Sequence, residues 1–151
     1  MAEFDYQNVE AWNTAVKLAA SVGRLKIGSN LKASAEAQAN AFEQAGVACA
    51  LIAEGAMREG PAQGGFYRDA RAALVRCRAW LHVLAAVTNE QDTVFGNEFD
   101  LAEQASRQLN ALVRSLDRGP APVGPRPPMR SGPPQGGPRP GGPGPRPGGP
   151  R

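Results

Sequence analysis

Proline is confined almost entirely to the end of this 151-residue chain, since 13 of its 14 prolines lie at or beyond Pro120. Charge divides at the same place. Residues 1–117 hold 11 Lys and Arg against 14 Asp and Glu, a net charge of −3, whereas residues 118–151 hold six Arg and no acid. A chain of this length typically forms one domain. The division therefore predicts a mildly acidic folded domain over residues 1–117 and a basic, disordered tail over residues 118–151.

The folded part is organised around an apolar stretch from Phe42 to Leu84. It consists of two helical segments on either side of a glycine-rich break, Gly60-Pro61-Ala62-Gln63-Gly64-Gly65. Glycine and proline clusters of this kind mark connections between elements. We expect this helical hairpin to be the structural centre of the domain.

Apolar residues recur at helical spacing in four segments. The segments run from Asn8, a candidate N-cap, to Val22, from Leu31 to Ala56, from Phe66 to Asn89, and from the cap-like Asn97-Glu98-Phe99-Asp100 to Leu116. The expected core stripes are Val9, Trp12, Val16 and Ala19; Ala35, Ala39, Phe42, Gly46, Cys49 and Ala53; Phe66, Ala70, Ala73, Leu74, Cys77, Trp80, Leu81 and Leu84; and Leu101, Ala105, Leu109, Leu112, Val113 and Leu116. No stretch alternates convincingly with period two. The predicted fold is all-α, an antiparallel up-down four-helix bundle.

The second segment is apolar most of the way round its C-terminal half, because polar residues stop after Gln44. A helix of this type is buried on more than one side. In so small a bundle, the second side points to another subunit. We predict an oligomer interface at Val47, Leu51 and Val75.

Arginines form a row on the third segment. Arg71, Val75, Arg78 and His82 recur on one helical face, and Arg68 adjoins it. Two interpretations stay open: an ordinary solvated surface, which is usual for a charge run, or an anion-binding face, which the absence of interspersed acids favours. With Arg76, these side chains are the candidate phosphate contacts.

The tail repeats Pro-Arg-Pro at residues 125–127, 138–140 and 145–147. Its composition predicts disorder with local polyproline II character. An acid-free arginine segment is attracted to phosphate in a salt-dependent way, but a solubilising extension has the same composition. The candidate nucleic-acid contacts in the tail are Arg126, Arg130, Arg139 and Arg146.

Other classes of site have little support. Cys49 and Cys77 fall on apolar faces and are interpreted as small buried hydrophobes. The chain has a single histidine, so we expect no metal site and no cofactor. Glu54 has no second carboxylate, His or nucleophile at a spacing that would share its pocket, and we expect it to pair with Arg58 in a protein that is not an enzyme.

The chain also lacks targeting and membrane signals. Its N-terminus has no basic and apolar signal sequence. The longest run without polar side chains, Ala45–Ala53, is far shorter than the ~20 residues that span a bilayer. We expect a cytoplasmic protein that does not contact membranes.

Two motifs of the hairpin resemble a known family. Ile52-Ala53-Glu54-Gly55, Arg58 and then Phe66-Tyr67-Arg68-Asp69-Ala70-Arg71 resemble the hallmark of a bacterial four-helix-bundle family. It includes proteins encoded in intervening sequences of large-subunit ribosomal RNA genes and the accessory variability proteins of diversity-generating retroelements. Residues 4–22 are similar to the family's opening helix, and residues 78–85 resemble the retroelement branch. The resemblance covers about residues 4–117.

The chain also departs from the family pattern. Leu51 stands where the family usually has Asn, and Ala72-Ala73 followed by Arg76 and Arg78 stands where it often has Gly-Ser and two glutamates. These changes remove acid and add base on one helix, which favours a surface that faces nucleic acid. The resemblance implies a homopentameric ring and, in the retroelement branch, a reverse transcriptase partner with its template RNA.

Two functions remain in view. The first is an oligomeric accessory protein that binds RNA or DNA through phosphates, without catalysis and with little sequence preference. The second is a structural or protein-interaction bundle without a nucleic-acid role. In that case the arginines would pair with acids of a neighbouring subunit, such as Glu36, Glu43 or Glu103.

Overall fold

The computed structural model describes residues 5–28 and 30–118, which contain α-helices and short 3-10 helices but no β-strand. The four α-helices are α1, Glu10–Gly23; α2, Lys32–Ala56; α3, Pro61–Thr88; and α4, Gly96–Asp117. A 3-10 helix precedes α1 at Asp5–Asn8 (η1), and another precedes α4 at Asp92–Phe95 (η2). The predicted tail, apart from Arg118, lies outside the described residues.

Each α-helix packs against two others, α1 and α3 both contacting α2 and α4. Consecutive helices run in opposite directions, so the arrangement is an antiparallel four-helix bundle in which α2 and α3 form the most extensive pair. The predicted fold class is confirmed. α3, with 28 residues, is longer than predicted.

Alanine dominates the core, supplying eleven of the 22 buried apolar residues of the described chain. The largest fully buried side chains are Leu18, Ile52, Leu74, Leu81, Leu84 and Leu109. Small side chains let helices approach closely, and they leave the few leucines and Ile52 to fill the space between them.

The predicted core face of α2 is wrong by one position. The buried residues are Ser34, Ala37, Ala41, Ala45, Ala48, Ile52 and Gly55, whereas Phe42, which was placed in the core, is 49% exposed. Because this helix carries apolar residues on most sides, the sequence pattern does not mark which side faces the core. The same kind of error affects α1, where Val16 is 37% exposed and Leu18 is fully buried.

The residues that carry the family resemblance meet where α2 crosses α3. A Cβ on Gly55 would lie 2.9 Å from both Phe66 Cβ and Tyr67 Cε1. Arg58 binds Glu54 at 3.2 Å, as expected, and its guanidinium carbon lies 5.5 Å from the centre of the Phe66 ring. In this structure the motif therefore fixes the close crossing of two helices.

Helix boundaries differ from expectation at three places. α3 begins at Pro61, five residues before the predicted Phe66, because proline suits the first helical position and Gly60 supplies the preceding turn at φ 71°. α4 begins at Gly96, and Glu98 in its first turn is buried and accepts a hydrogen bond from Ser21 Oγ at 2.5 Å. The N-cap of α1 is Val9 and makes no side-chain cap hydrogen bond, so the predicted Asn8 cap is wrong.

Candidate nucleic-acid interface

Four of the predicted phosphate contacts lie on the side of α3 that faces α4. We call Arg68, Arg71, Arg78 and His82 the cationic row. Arg68, Arg71 and His82 contact residues of α4 or of η2 before it. The row therefore follows the seam between two antiparallel helices, and α4 determines how much of its charge is free.

Arg68 forms an ion pair at the end of the seam. Its Nη2 lies 3.1 Å from Asp117 Oδ1 in the last residue of α4. Both side chains are about half exposed, at 47% and 62%. An exposed ion pair of this kind contributes about 0–1 kcal/mol because water and salt screen it. A phosphate can therefore displace Asp117 at little cost.

Arg71 has a neutral partner. Its Nη1 donates a hydrogen bond to Asn110 Oδ1 on α4, and the side chain is half-buried. An amide oxygen orients the guanidinium without cancelling its charge. Arg71 is thus a positioned cation that remains attractive to an anion.

Arg78 is half-buried between the other members of the row, and its Nε is shielded from solvent without a hydrogen-bond partner. Leaving a buried donor of a charged group unsatisfied costs more than about 1–3 kcal/mol. A ligand oxygen that reached this nitrogen would recover part of that cost. Because this nitrogen is closed to solvent, a phosphate oxygen reaches it only if the side chain moves.

His82 is tethered to the connector before α4. Its Nδ1 lies 3.0 Å from Asp92 Oδ2. Its ring centre lies 4.6 Å from that of Phe99, with the two planes tilted by 37°. His82 therefore joins α3 to η2 and α4, and its predicted phosphate contact would compete with Asp92.

Arg76 does not join the row. It lies five residues after Arg71, which places it well round the helix from that residue, and it is exposed on the outer side of α3. The structure brings four of the five predicted contacts on α3 together and separates Arg76 from them.

The sequence analysis missed two arginines of α4. Arg107 and Arg114 are exposed seven residues apart, on the same helix as Asn110, the partner of Arg71. Arg107 binds Glu103 at 2.5 Å, whereas Arg114 has no carboxylate partner among residues 5–28 and 30–118. The signal in the sequence was their spacing of seven residues, which places both on one face of a helix. With Arg114, the α3–α4 surface carries more cations than α3 alone provides.

The cysteines are not reactive groups at neutral pH. Burial raises the pKa of Cys49 to about 11, against a backbone hydrogen bond that lowers it. Burial and the neighbouring Cys49 raise the pKa of Cys77 to about 12. The thiolate is the nucleophilic and metal-binding form, so both side chains act as apolar groups. Cys77 is buried as predicted, and Cys49 is half-buried.

No family model matches the sequence, and neither a curated protein nor a solved structure is significantly similar to it. The resemblance to the four-helix-bundle family stays a prediction.

The remaining predicted site residues have mixed outcomes. Val47 and Leu51 are half-buried and pack against the core of their own chain. Val75 is 58% exposed. Their role in an oligomer interface stays a prediction. The four tail arginines lie outside the described residues: Arg126, Arg130, Arg139 and Arg146.

Within residues 5–28 and 30–118, no three His, Cys, Asp or Glu side chains are grouped closely enough to bind a metal ion. None of the helices in this part of the chain combines the length and apolar character that a bilayer crossing requires.

Proposed function

We propose that this protein is a non-enzymatic accessory protein that binds RNA or DNA through the α3–α4 surface. Arg68, Arg71 and Arg78 bind backbone phosphates, with Arg114 of α4 beside them. The proposal rests on the partners that these guanidinium groups have. Arg71 has a neutral partner, Arg78 has a buried nitrogen without a hydrogen bond, and Arg68 has a weak, exposed ion pair.

Phosphate is the ligand class that suits this arrangement. Guanidinium groups donate hydrogen bonds in a planar fork that matches phosphate oxygens. Contacts of this kind position a nucleic acid without reading its sequence. We therefore propose binding with a strong salt dependence and little sequence preference.

Assembly concentrates the charge. Residues 1–117 are net acidic, so a single bundle attracts a polyanion through a local cationic surface and not through its net charge. We propose that the chain forms a homo-oligomer, a pentamer if the family resemblance holds, which gathers several such surfaces. On the basis of the same resemblance, we propose a reverse transcriptase and its template RNA as partners. The basic tail would add further phosphate contacts.

The decisive experiment is a salt titration of RNA binding by the double variant Arg71→Gln and Arg78→Gln. For a single-stranded probe, each phosphate contact contributes about 0.7 to the slope of log affinity against log salt. The variant is expected to bind more weakly and to lose about 1.4 from that slope. Fluorescence anisotropy with a labelled RNA homopolymer measures both quantities.

The matched control is the double variant Lys17→Gln and Arg58→Gln, which removes the same charge from exposed positions on α1 and beyond the end of α2. It should retain most of the slope. Equal losses in the two variants would show that net charge, and not the α3–α4 surface, determines binding. Unchanged binding in the Arg71 and Arg78 variant would refute the proposal.

A second function remains a candidate because two members of the row already have carboxylate partners, Arg68 with Asp117 and His82 with Asp92. These pairs favour a protein-interaction bundle whose basic surface binds acidic side chains. Its proposed partners in a neighbouring subunit were Glu36, Glu43 and Glu103; Glu36 pairs with Lys32 and Glu103 with Arg107 within the chain. This function would be supported if the unchanged protein bound no RNA and the double variant Arg71→Gln and Arg78→Gln still assembled. The cationic row would then have no nucleic-acid role.

A further inference from the structure

His82 ends the cationic row, and it is the single histidine of the chain. Histidine is the side chain that ordinarily changes its charge between about pH 5 and about pH 8. Its side chain is 54% exposed and lies one helical turn after Arg78, which is about 6 Å along the axis of α3. The proposed RNA-binding surface therefore includes one group whose charge depends on pH near neutrality.

Three elements surround the imidazole, and each contributes a different kind of group. η2 provides Asp92, whose Oδ2 lies 3.0 Å from Nδ1 and which is the only charged residue of that element. α4 provides the ring of Phe99, at 4.6 Å between ring centres. α3 provides Arg78, one turn before. The imidazole therefore lies between one carboxylate and one apolar ring, with the nearest base of its own helix a turn away.

The chain beside this end of the row is acidic. Residues 89–103 contain five Asp and Glu and no Lys or Arg. Glu98 is buried and accepts a hydrogen bond from Ser21, so it faces α1. Glu103 pairs with Arg107. The four acids that are exposed are Glu90, Asp92, Asp100 and Glu103. A neutral imidazole therefore leaves a local excess of negative charge where the row ends.

We propose that protonation of His82 controls how tightly the α3–α4 surface binds RNA. With a neutral imidazole, the charge of Asp92 is uncompensated and repels the phosphates that approach Arg78. An imidazolium compensates Asp92, so RNA binding tightens as the pH falls from about 8 to about 5.5. The inference rests on the proposed function for its ligand. It adds a regulation that the arginines do not supply, because guanidinium groups stay charged throughout this pH range.

The two side chains are close enough for the effect to be measurable. The helical turn between Arg78 and His82 is shorter than the Debye length of about 8 Å at physiological ionic strength. A unit charge at that separation changes the affinity for an adjacent phosphate by about threefold in water. Carboxylates ordinarily stay ionised above about pH 5.5, so His82 is the group of the row whose charge changes.

The test compares the full chain with His82→Gln, using a uridine homopolymer as the probe because uracil does not change its charge in this pH range. We expect the unchanged protein to bind about threefold more tightly at about pH 5.5 than at about pH 8. In His82→Gln this ratio should fall to about one, although the amino terminus, which also titrates in this range, is retained. Lys17→Gln removes an exposed charge of α1 but keeps the imidazole, and it should retain the ratio of the unchanged protein.

A second variant tests the role of Asp92. Asp92→Asn removes the negative charge that protonation compensates, so at about pH 8 it should tighten RNA binding by about threefold. The matched control is Glu43→Gln, which removes an exposed acid of α2 and should change the affinity less. Equal gains in the two variants would overturn the role assigned to Asp92, and the proposal with it.

Proton uptake is a readout that a purely structural role of His82 would not move. If the imidazolium form binds RNA better, binding takes up a fraction of a proton at about pH 6.5, and His82→Gln takes up less. Calorimetry in two buffers of different ionisation enthalpy measures this fraction. Melting temperatures at both ends of the pH range establish that each variant is folded.

The outcomes distinguish this inference from the proposed function. RNA binding that is equally tight at both pH values overturns the inference and leaves the proposed function standing. The same holds for RNA binding that keeps its pH dependence in His82→Gln. Absence of RNA binding at both pH values refutes the proposed function, and the inference fails with it.

Discussion

Gly55 and Gly46 lie nine residues apart in α2, and their surroundings differ completely. A Cβ on Gly55 would approach Phe66 and Tyr67 to 2.9 Å, whereas a Cβ on Gly46 would meet nothing within 4 Å. Alanine in place of glycine inside a helix is favourable by about 1 kcal/mol. Overpacking at a close crossing costs about 1–3 kcal/mol. The two effects oppose each other at Gly55 and only the first operates at Gly46.

We therefore predict that Gly55→Ala destabilises the fold by up to about 2 kcal/mol and that Gly46→Ala stabilises it by up to about 1 kcal/mol. Urea unfolding followed by circular dichroism measures both changes. If Gly55→Ala proved as stable as Gly46→Ala, the α2–α3 crossing would be looser than the structure shows.

The buried thiols make stability depend on alkaline pH. In the unfolded chain they ionise near their ordinary pKa of 9.0, whereas in the folded protein burial raises the pKa values to about 11 for Cys49 and about 12 for Cys77. The protonated thiols thus contribute stability below pH 9 that is lost as the pH rises through the folded pKa values. We predict that the free energy of unfolding falls as the pH rises from 9.0 towards about 11.

The double variant Cys49→Ala and Cys77→Ala lacks these groups and should show a smaller fall over the same interval. Burial also raises the pKa of Tyr67, so some dependence should remain in the variant. Identical pH dependence of the two proteins, measured by urea titration, would exclude the thiols as its source.

At the scale of the helices, the pattern of α4 was informative and that of α2 was not. α4 alternates apolar and charged sides, and Ala105, Leu109 and Val113 are buried as expected. α2 offers alanine, glycine and valine on nearly every side, so its core face depends on what packs against it. The interhelical partners Asn110 and Asp117 also depend on how α3 and α4 are aligned, which periodicity within one helix does not define.

The Arg68–Asp117 pair leads to a prediction at this scale. Asp117 ends α4 and occupies Arg68 at 3.1 Å, so Asp117→Asn frees a guanidinium at the end of the cationic row. We predict up to about fivefold tighter binding of single-stranded RNA, with a stability change below about 1 kcal/mol. Anisotropy titration and urea unfolding provide the two measurements.

Asp69→Asn is the matched control for this effect, because it removes an exposed acid beside Arg68 that has no ion-pair partner in the described structure. It changes net charge equally and frees no arginine. Were both variants to tighten binding equally, general electrostatics would explain the gain and Asp117 would have no particular role.

For the whole molecule, the four apolar segments separated by breaks were enough to predict a four-helix bundle. The antiparallel arrangement of neighbouring helices was predicted with it. The surface assignments did not follow. Val47 and Leu51 were assigned to a contact with another subunit, and in the structure they also pack against the core of their own chain. An apolar residue is equally compatible with its own core and with a partner chain, and only the packed structure separates the two.

Val75 stays a candidate contact between copies because it is 58% exposed on α3, and Val83, two turns further on, is 42% exposed. Val75 shares a helix face with Arg71 and Arg78, so a subunit contact there has to leave these arginines accessible for the proposed RNA binding. Burial of both in an interface would remove apolar surface from water, and a carboxylate there would be costly to bury. We predict that the 15.8 kDa chain forms an oligomer that Val75→Glu dissociates, as measured by light scattering during size exclusion. Val94→Glu, at a residue 56% exposed on η2, should leave the oligomer intact. A monomeric unchanged protein at micromolar concentration would remove the basis for charge gathered by assembly, and the α3–α4 surface would then have to bind RNA alone.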